Sequence, residues 1–302
     1  MKQFFLFATI CTTFFSSTFS QKNLAEKLGY PKNSKLLILH ADDAGVSHSV
    51  NSATIAAFEK HAISSSSIMV PCPWFAEIAA YAKLHPQMDW GIHLTLTAEW
   101  KNYKWDGVLP ADKISSLLDT TGYFYSSVEE LLKHAKPQEV EAELRAQIER
   151  ALLFGIKITH LDSHMGALYA SPQLLKIYQQ IGAAYGLPVF QTTLLPMALD
   201  TNNIVLDAVA MAQKMMTANE WPAYYDGIIQ QLKPGLNEII IHLAFDNDEM
   251  KAVTTGHPDY GAAWRQNDFN YATSEALKAL LKKNNIQLVS WGDVQKTMKG
   301  SF

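Results

Sequence analysis

Short apolar runs alternate with amphipathic stretches from Leu36 to the end of the chain. Leu36 to Leu39 is too short a run for a helix and predicts a strand buried on both faces. Further strands are predicted over Ser64 to Val70, Asp89 to Leu96, Lys157 to His164, Leu187 to Gln191, Glu238 to Leu243 and Ile286 to Ser290. Helical spacing between them predicts helices over Val50 to His61, Trp74 to Leu84, Pro137 to Phe154, Pro172 to Tyr185 and Thr273 to Lys283. A short helix near Leu24 to Leu28 and one from Asp293 flank the set. Residues 200 to 232 read as two helices broken near Trp221-Pro222. Pro137 and Pro172 sit where a helix tolerates proline, and Gly155 and Gly186 stand where the helices stop. The alternation predicts an α/β fold, a mostly parallel sheet with helices outside. About seven strands are expected, against the eight of a regular TIM barrel.

Two stretches break the rhythm. Residues 97 to 136 carry Trp100, Tyr103, Trp105, Tyr123, Phe124 and Tyr125 among glycine and proline, with one helix near Val128 to His134. A long aromatic insertion after a strand is a candidate substrate lid, or a minor apolar subcore. Asp246 to Asn270 reads as a long polar and aromatic loop holding His257, Trp264, Arg265, Asp268 and Phe269.

Composition narrows the picture. The apolar fraction is 48% and the charged fraction 18%, which suits a soluble chain with a sizeable core. A net charge of −4 without a basic stripe argues against a nucleic-acid partner. Residues 1–20 read as a signal peptide: Lys2, then the apolar run Phe4 to Phe15, then Thr18-Phe19-Ser20 before a cleavage point. Residues 21–302 would then form one domain, periplasmic or secreted, with no membrane contact after the leader is removed. With Cys11 gone, Cys72 is the remaining cysteine, so no intrachain disulfide is expected. No G-x-G-x-x-G follows a strand, and there is no Walker A or G-x-S-x-G, so dinucleotide, nucleotide and serine-hydrolase chemistry have no support.

The strand ends carry the chemistry-bearing residues. The first run leads into Asp42 and Asp43, the third holds His93, and the fourth ends on Asp162 and His164. Strand ends of this kind are where α/β folds place their sites. Two adjacent carboxylates are costly to keep ionised, and a cation relieves that cost. The alternative is that they turn the chain and cap the following helix. One carboxylate and two imidazoles from three strand ends suit zinc, iron, manganese or a related divalent ion.

His40-Ala41-Asp42-Asp43-Ala44-Gly45, Gly91-Ile92-His93-Leu94-Thr95-Leu96-Thr97 and Thr159-His160-Leu161-Asp162-Ser163-His164 resemble the motifs of the YdjC-like carbohydrate deacetylases. Leu118-Asp119, Gly122 and Phe124 look like that family's insertion, and the resemblance runs from about Leu36 to Trp291. It implies an irregular, TIM-barrel-like (β/α) barrel and one divalent metal ion, magnesium or zinc, held by Asp43, His93 and His164. It also implies Asp42 as the catalytic carboxylate and His242 as a late strand-end histidine. The implied activity removes acetyl groups from N-acetylated amino sugars or oligosaccharides, and the sequence allows a homodimer. The chain departs from the family pattern with His40 where asparagine is common. It also departs with Met165-Gly166-Ala167 after His164 and with Leu243-Ala244-Phe245 after His242.

The implied roles are chemically coherent. A metal ion lowers the pKa of bound water from about 15.7 to as low as about 7 for zinc. Asp42 beside that water can act as base, and His242 can protonate the departing amine. Asp162 is expected to orient a ring nitrogen of His164 or another ligand, or else to cap the backbone. Trp100, Trp105, Tyr125, Trp264 and Phe269 are candidate stacking surfaces for sugar, with Arg265 as a further substrate contact. Two other readings stand beside the deacetylase. One is a metal-independent glycoside hydrolase working through a carboxylate pair. The other is a non-catalytic sugar-binding barrel.

Overall fold

A computed structural model describes residues 24–193, 199–200 and 203–299. The expected signal peptide and Cys11 lie outside the described residues. A four-residue helix, α1 (Leu24–Lys27), precedes β1 (Lys35–Ala44), and α2 (His48–Glu59) follows it. The chain then alternates through β2 (Ser65–Ile68), α3 (Phe75–Leu84) and β3 (Trp90–Leu94). After the aromatic stretch come α4 (Val128–His134), α5 (Pro137–Leu153), β4 (Ile158–Ser163) and α6 (Pro172–Tyr185). The second half holds β5 (Ala208–Ala210), α7 (Glu220–Gln231), β6 (Gly235–His242), α8 (Asp248–Val253) and α9 (Ala262–Ala272). It ends with α10 (Glu275–Lys283), β7 (Ile286–Leu288) and α11 (Trp291–Lys299).

The seven strands pair in the order β4-β3-β2-β1-β6-β5, with β7 beside β1, and every pairing among them is parallel. Two single parallel bridges, Leu161 to Val189 and Thr192 to Leu206, carry the sheet from β4 round to the chain entering β5. The result is a mostly parallel seven-stranded sheet, in keeping with the irregular barrel that the resemblance implied, whose two ends are joined by single bridges rather than closed by a full ladder.

Alternation along β1 and β6 sorts the side chains. Leu37, Leu39, Ala41, Ile239 and Ile241 face the surrounding helices in the main core. Leu36, Ile38 and Leu236 join Trp291 and Val294 in a second cluster inside the barrel. Burying each such side chain is worth roughly 1.5–3 kcal/mol. Two residues further along the inner register of β1 the interior turns polar, at His40 and then Asp42, both buried. Glu238 and His242 continue the inner register of β6. The apolar plug at one end thus gives way to the ionisable residues at the carboxyl ends of the strands.

Gly91 on β3 makes room for this interior. A Cβ there would lie 2.3 Å from His160 Nε2. The absent side chain lets the His160 ring lie flat against Trp291, with centroids 5.4 Å apart.

Three expectations are corrected. Leu187 to Gln191 is not a ladder strand: Pro188 has no N–H to give, and Val189 N–H donates to Asn203 Oδ1 instead. Residues 200–232 do not hold two helices. They hold β5 and the single helix α7, in whose first turn Pro222 sits because no N–H is required there. Residues 201–202 lie outside the described residues. Asp246 to Asn270 is not a loop but contains α8 and α9. The helical stripe of α9 was hidden because two of its buried positions are Arg265 and Asp268. Within the 97–136 stretch, Trp100, Trp105, Ile114, Leu117, Phe124 and Leu131 are buried, in keeping with the subcore alternative.

Candidate metal centre

The first strand does not stop before its carboxylates. β1 continues through Ala44, and between Ala41 and Ala44 it spends three residues against two of β2. The extra residue is Asp43, whose φ of 71° lies in the left-handed region that a non-glycine residue occupies at a cost. In a regular strand neighbouring side chains point to opposite faces. The bulge brings both carboxylates to one rim: Asp42 Oδ2 lies 3.9 Å and Asp43 Oδ1 3.5 Å from the same nitrogen, His93 Nε2. Neither aspartate caps α2. Ser47 does, accepting from Val50 N–H.

Asp43 is divided between two tasks. Arg265 Nη2 donates to its Oδ2 at 2.7 Å, and Arg265 Nε donates to the Tyr260 carbonyl. Oδ1 is buried without a hydrogen-bond donor and faces His93 Nε2 and His164 Nδ1, each at 3.5 Å. Asp43, His93 and His164 thus converge with one free ligand atom apiece, all buried. Burial alone would raise the Asp43 carboxyl, but the Arg265 guanidinium and His164 hold it well below the usual range.

Each imidazole is gripped on its far side by a carboxylate. His93 Nδ1 is 2.6 Å from Asp162 Oδ1, which leaves Nε2 for Asp43. His164 Nε2 is 3.0 Å from Glu99 Oε2, which leaves Nδ1. Met165 and Gly166 follow His164 with φ of 51° and 65°, a left-handed turn at the end of β4. Burial pushes His164 down, but Glu99 and Asp43 outweigh it and hold the ring up at about 10. The same balance, with Asp162 the main carboxylate, raises His93. A carboxylate behind a histidine fixes its tautomer and makes it a stronger donor to a metal.

Asp42 and His242 stand beside this trio. His242 Nε2 is 3.8 Å from Asp42 Oδ2. The His242 amide donates to Asp268 Oδ2, and its ring packs edge-on against Tyr260 at 4.9 Å. Burial, seconded by Arg265 and opposed by Asp43 and Asp42, holds His242 down at about 4, so it is neutral near pH 7.

Several assignments change with the geometry. Of the ligands the sequence left open to it, Asp162 contacts His93, and its other oxygen takes His40 at 3.0 Å. Trp100, Trp105 and Trp264 are 2%, 2% and 0% exposed, so none has a face to offer a sugar. They pack among themselves, under Arg265 and against Trp221 and Tyr260. Arg265 is itself buried on Asp43, which places it in the centre rather than on a substrate-facing surface. Tyr125 and Phe269 are half-buried, stacked on His134 and packed on Phe245. Glu99 and Tyr260 were not singled out from the sequence. Glu99 and Tyr260 sit outside any motif. His40 was visible as a departure from the family pattern, but the sequence assigned it no role.

The chain is similar to several known proteins. A model of the YdjC-like protein family matches residues 36–283. A carbohydrate deacetylase of Thermus thermophilus is 30% identical over 260 residues, covering 80% of this chain and 90% of that protein. A carbohydrate deacetylase of Thermoanaerobacter pseudethanolicus is 27% identical over 265 residues, covering 85% and 98%. Among solved structures, an Enterococcus faecalis protein described as a cellobiose-phosphate cleavage protein has a TM-score of 0.73 at 23% identity. The match covers 86% of this chain and 99% of that one, a likeness of fold.

Proposed function

Because the chain belongs to the YdjC-like protein family, we propose that it is a carbohydrate deacetylase that hydrolyses the acetamide of N-acetylated amino sugars or their oligosaccharides with one divalent metal ion. The observation that carries the metal requirement is Asp43 Oδ1, a buried acceptor without a donor that faces two imidazole nitrogens at 3.5 Å. A buried anion in that setting calls for a cation. Asp43, His93 and His164 would hold it, and the mixed oxygen and nitrogen donor set suits zinc, with magnesium the alternative. Bound there, the ion supplies Lewis acidity to a water molecule and to the acetyl carbonyl.

The remaining steps fall to the chain's own groups. Asp42, with Oδ2 turned toward His93 and His242, takes the proton of the attacking water. The amine cannot leave until it is protonated, and that same proton is the one available to it. His242 enters neutral and relays the proton from Asp42 Oδ2 to the amine nitrogen. Arg265 keeps Asp43 ionised and oriented throughout. Tyr260, half-buried, packs edge-on against His242 and is an aromatic surface beside that ring. Asp42, Asp43 and Asp162 each have an imidazole or a guanidinium within 3.9 Å, which suits a cation centre better than the carboxylate pair of a glycosidase.

The leader over residues 1–20 would send residues 21–302, as one domain, to the periplasm or the medium. N-terminal sequencing of the exported protein, beginning at Gln21, tests that placement. The activity is tested by acetate release from N-acetylated hexosamines and their oligomers, before and after exhaustive chelation. Release that stops on chelation and returns with added zinc or magnesium supports the proposal. Cleavage of glycosidic bonds without acetate would overturn it.

A further inference from the structure

His40 is fully buried where the barrel interior turns polar, and it belongs to neither the ligand set nor the proton path above. Both of its ring nitrogens are occupied. Nδ1 lies 2.9 Å from Ser65 Oγ. That hydroxyl gives its one proton to Asp89 Oδ1 at 2.6 Å, so toward the ring it can act as an acceptor only. Nε2 lies 3.0 Å from Asp162 Oδ2, its hydrogen-bond acceptor when ionised, with Ser67 Oγ at 3.2 Å, while Asp42 Oδ1, which has no hydrogen-bond donor, lies 3.0 Å away as an ion-pair contact. Hydrogen-bond accounting therefore puts a proton on each nitrogen.

We propose that His40 is a positioning residue, a buried imidazolium that hydrogen-bonds Asp162 and attracts Oδ1 of Asp42 as an ion pair, and so leaves Asp42 Oδ2 turned to the reacting centre. The groups around it favour the charge. Asp42 faces it from β1, Asp162 from β4 and Glu238 from β6, while the His160 ring meets it edge-on at 5.1 Å. Burial opposes the charge, yet the two contacting carboxylates raise His40 well above its ordinary range. His160 is pushed well below its own by burial and by the charge on His40, so it stays neutral. Without the cation, Asp42 and Asp162 would be two buried carboxylates with nothing between them, and Asp42 would lose its fixed orientation. This role rests on the deacetylase reading, in which Asp42 is the base.

The test uses the full, metal-loaded chain and three measurements. Nitrogen-15 NMR of the histidine side chains at pH 8, assigned by loss in His40→Asn, should show both His40 nitrogens protonated. A ring with one bare nitrogen overturns the proposal. This readout needs no activity, so it decides the point even if no sugar yields acetate and the functional reading fails. Steady-state kinetics of His40→Asn, or of His40→Gln if the first variant does not fold, should show kcat lower by roughly 10²-fold. KM should stay within about twofold of wild type, and metal affinity should fall by less than in Asp162→Asn, since His40 reaches His93 only through Asp162. In an Asp42→Asn background the same substitution should cost nothing further, because its effect runs through Asp42. A second, equal loss in that background would overturn the positioning role.

Discussion

Oδ1 of Asp162 lies 2.6 Å from Nδ1 of His93, while its Oδ2 lies 3.0 Å from Nε2 of His40. One buried carboxylate thus contacts both His93, a proposed metal ligand, and His40, the ring beside Asp42. Asp162→Asn removes the charge behind His93 and leaves its tautomer unfixed. Metal affinity should fall by roughly 10–100-fold, the usual scale for such an outer partner. Titration calorimetry reads this directly. Unchanged affinity would mean that Asp162 merely packs.

Metal binding should weaken as the solution becomes more acidic. His164 without metal keeps its proton up to about 10, and a ligand must be neutral to bind. Below that value each pH unit downward therefore costs about tenfold in affinity on account of His164 alone. In the metal-free protein the same shift favours the folded state below the ring's ordinary 6.5, and that gain is lost as pH rises through about 10. Affinity measured from pH 6 to 9 should rise with pH, with at least one proton released per ion. A flat profile would show that His164 is not a ligand.

Asp42→Asn should keep the metal and lower kcat by roughly 10²-fold or more, the scale of a lost general base. Near-normal turnover would place the base elsewhere. His242, neutral above about pH 4, should behave differently from an acid that begins protonated. A pre-protonated acid with that pKa would make kcat/KM fall tenfold per unit from pH 5 upward, whereas a relay leaves no such limb. His242→Ala should cut amide hydrolysis strongly and activated acetyl-ester hydrolysis little. Equal loss on both would make His242 a substrate-positioning group.

Gly91→Ala should destabilise the barrel. Its Cβ would meet His160 Nε2 at 2.3 Å, and that ring is held between His40 and Trp291. Overpacking of this kind costs typically about 1–3 kcal/mol. A thermal melt should show Tm lower by several degrees, and an unchanged Tm would mean that His160 can move aside.

Much of this was legible because periodicity reports burial. β4 and α6 fall where the apolar pattern and the terminal proline and glycine put them. The chemistry-bearing strand ends were visible as apolar runs that stop on Asp or His. The bulge at Asp43 was not, since nothing in Asp42-Asp43 says that both carboxylates reach one face. α9 was missed because its buried stripe carries Arg265 and Asp268, whose partners Asp43 and the His242 amide lie far away in sequence. Glu99 was missed because a loop carboxylate has no period, and its meaning comes from His164 folding back to it. The tryptophans were misread for the converse reason: composition shows an aromatic cluster but not which way it faces.

The central claim is that Asp43, His93 and His164 form one divalent-metal centre. The most direct measurement is metal titration of the chelated protein, alongside Asp43→Ala, His93→Ala and His164→Ala, each shown to be folded by circular dichroism. The wild-type chain should take up one zinc or magnesium ion, and each variant should lose it. Full occupancy in any folded variant would remove that residue from the centre, and no uptake by the wild-type chain would contradict the account as a whole.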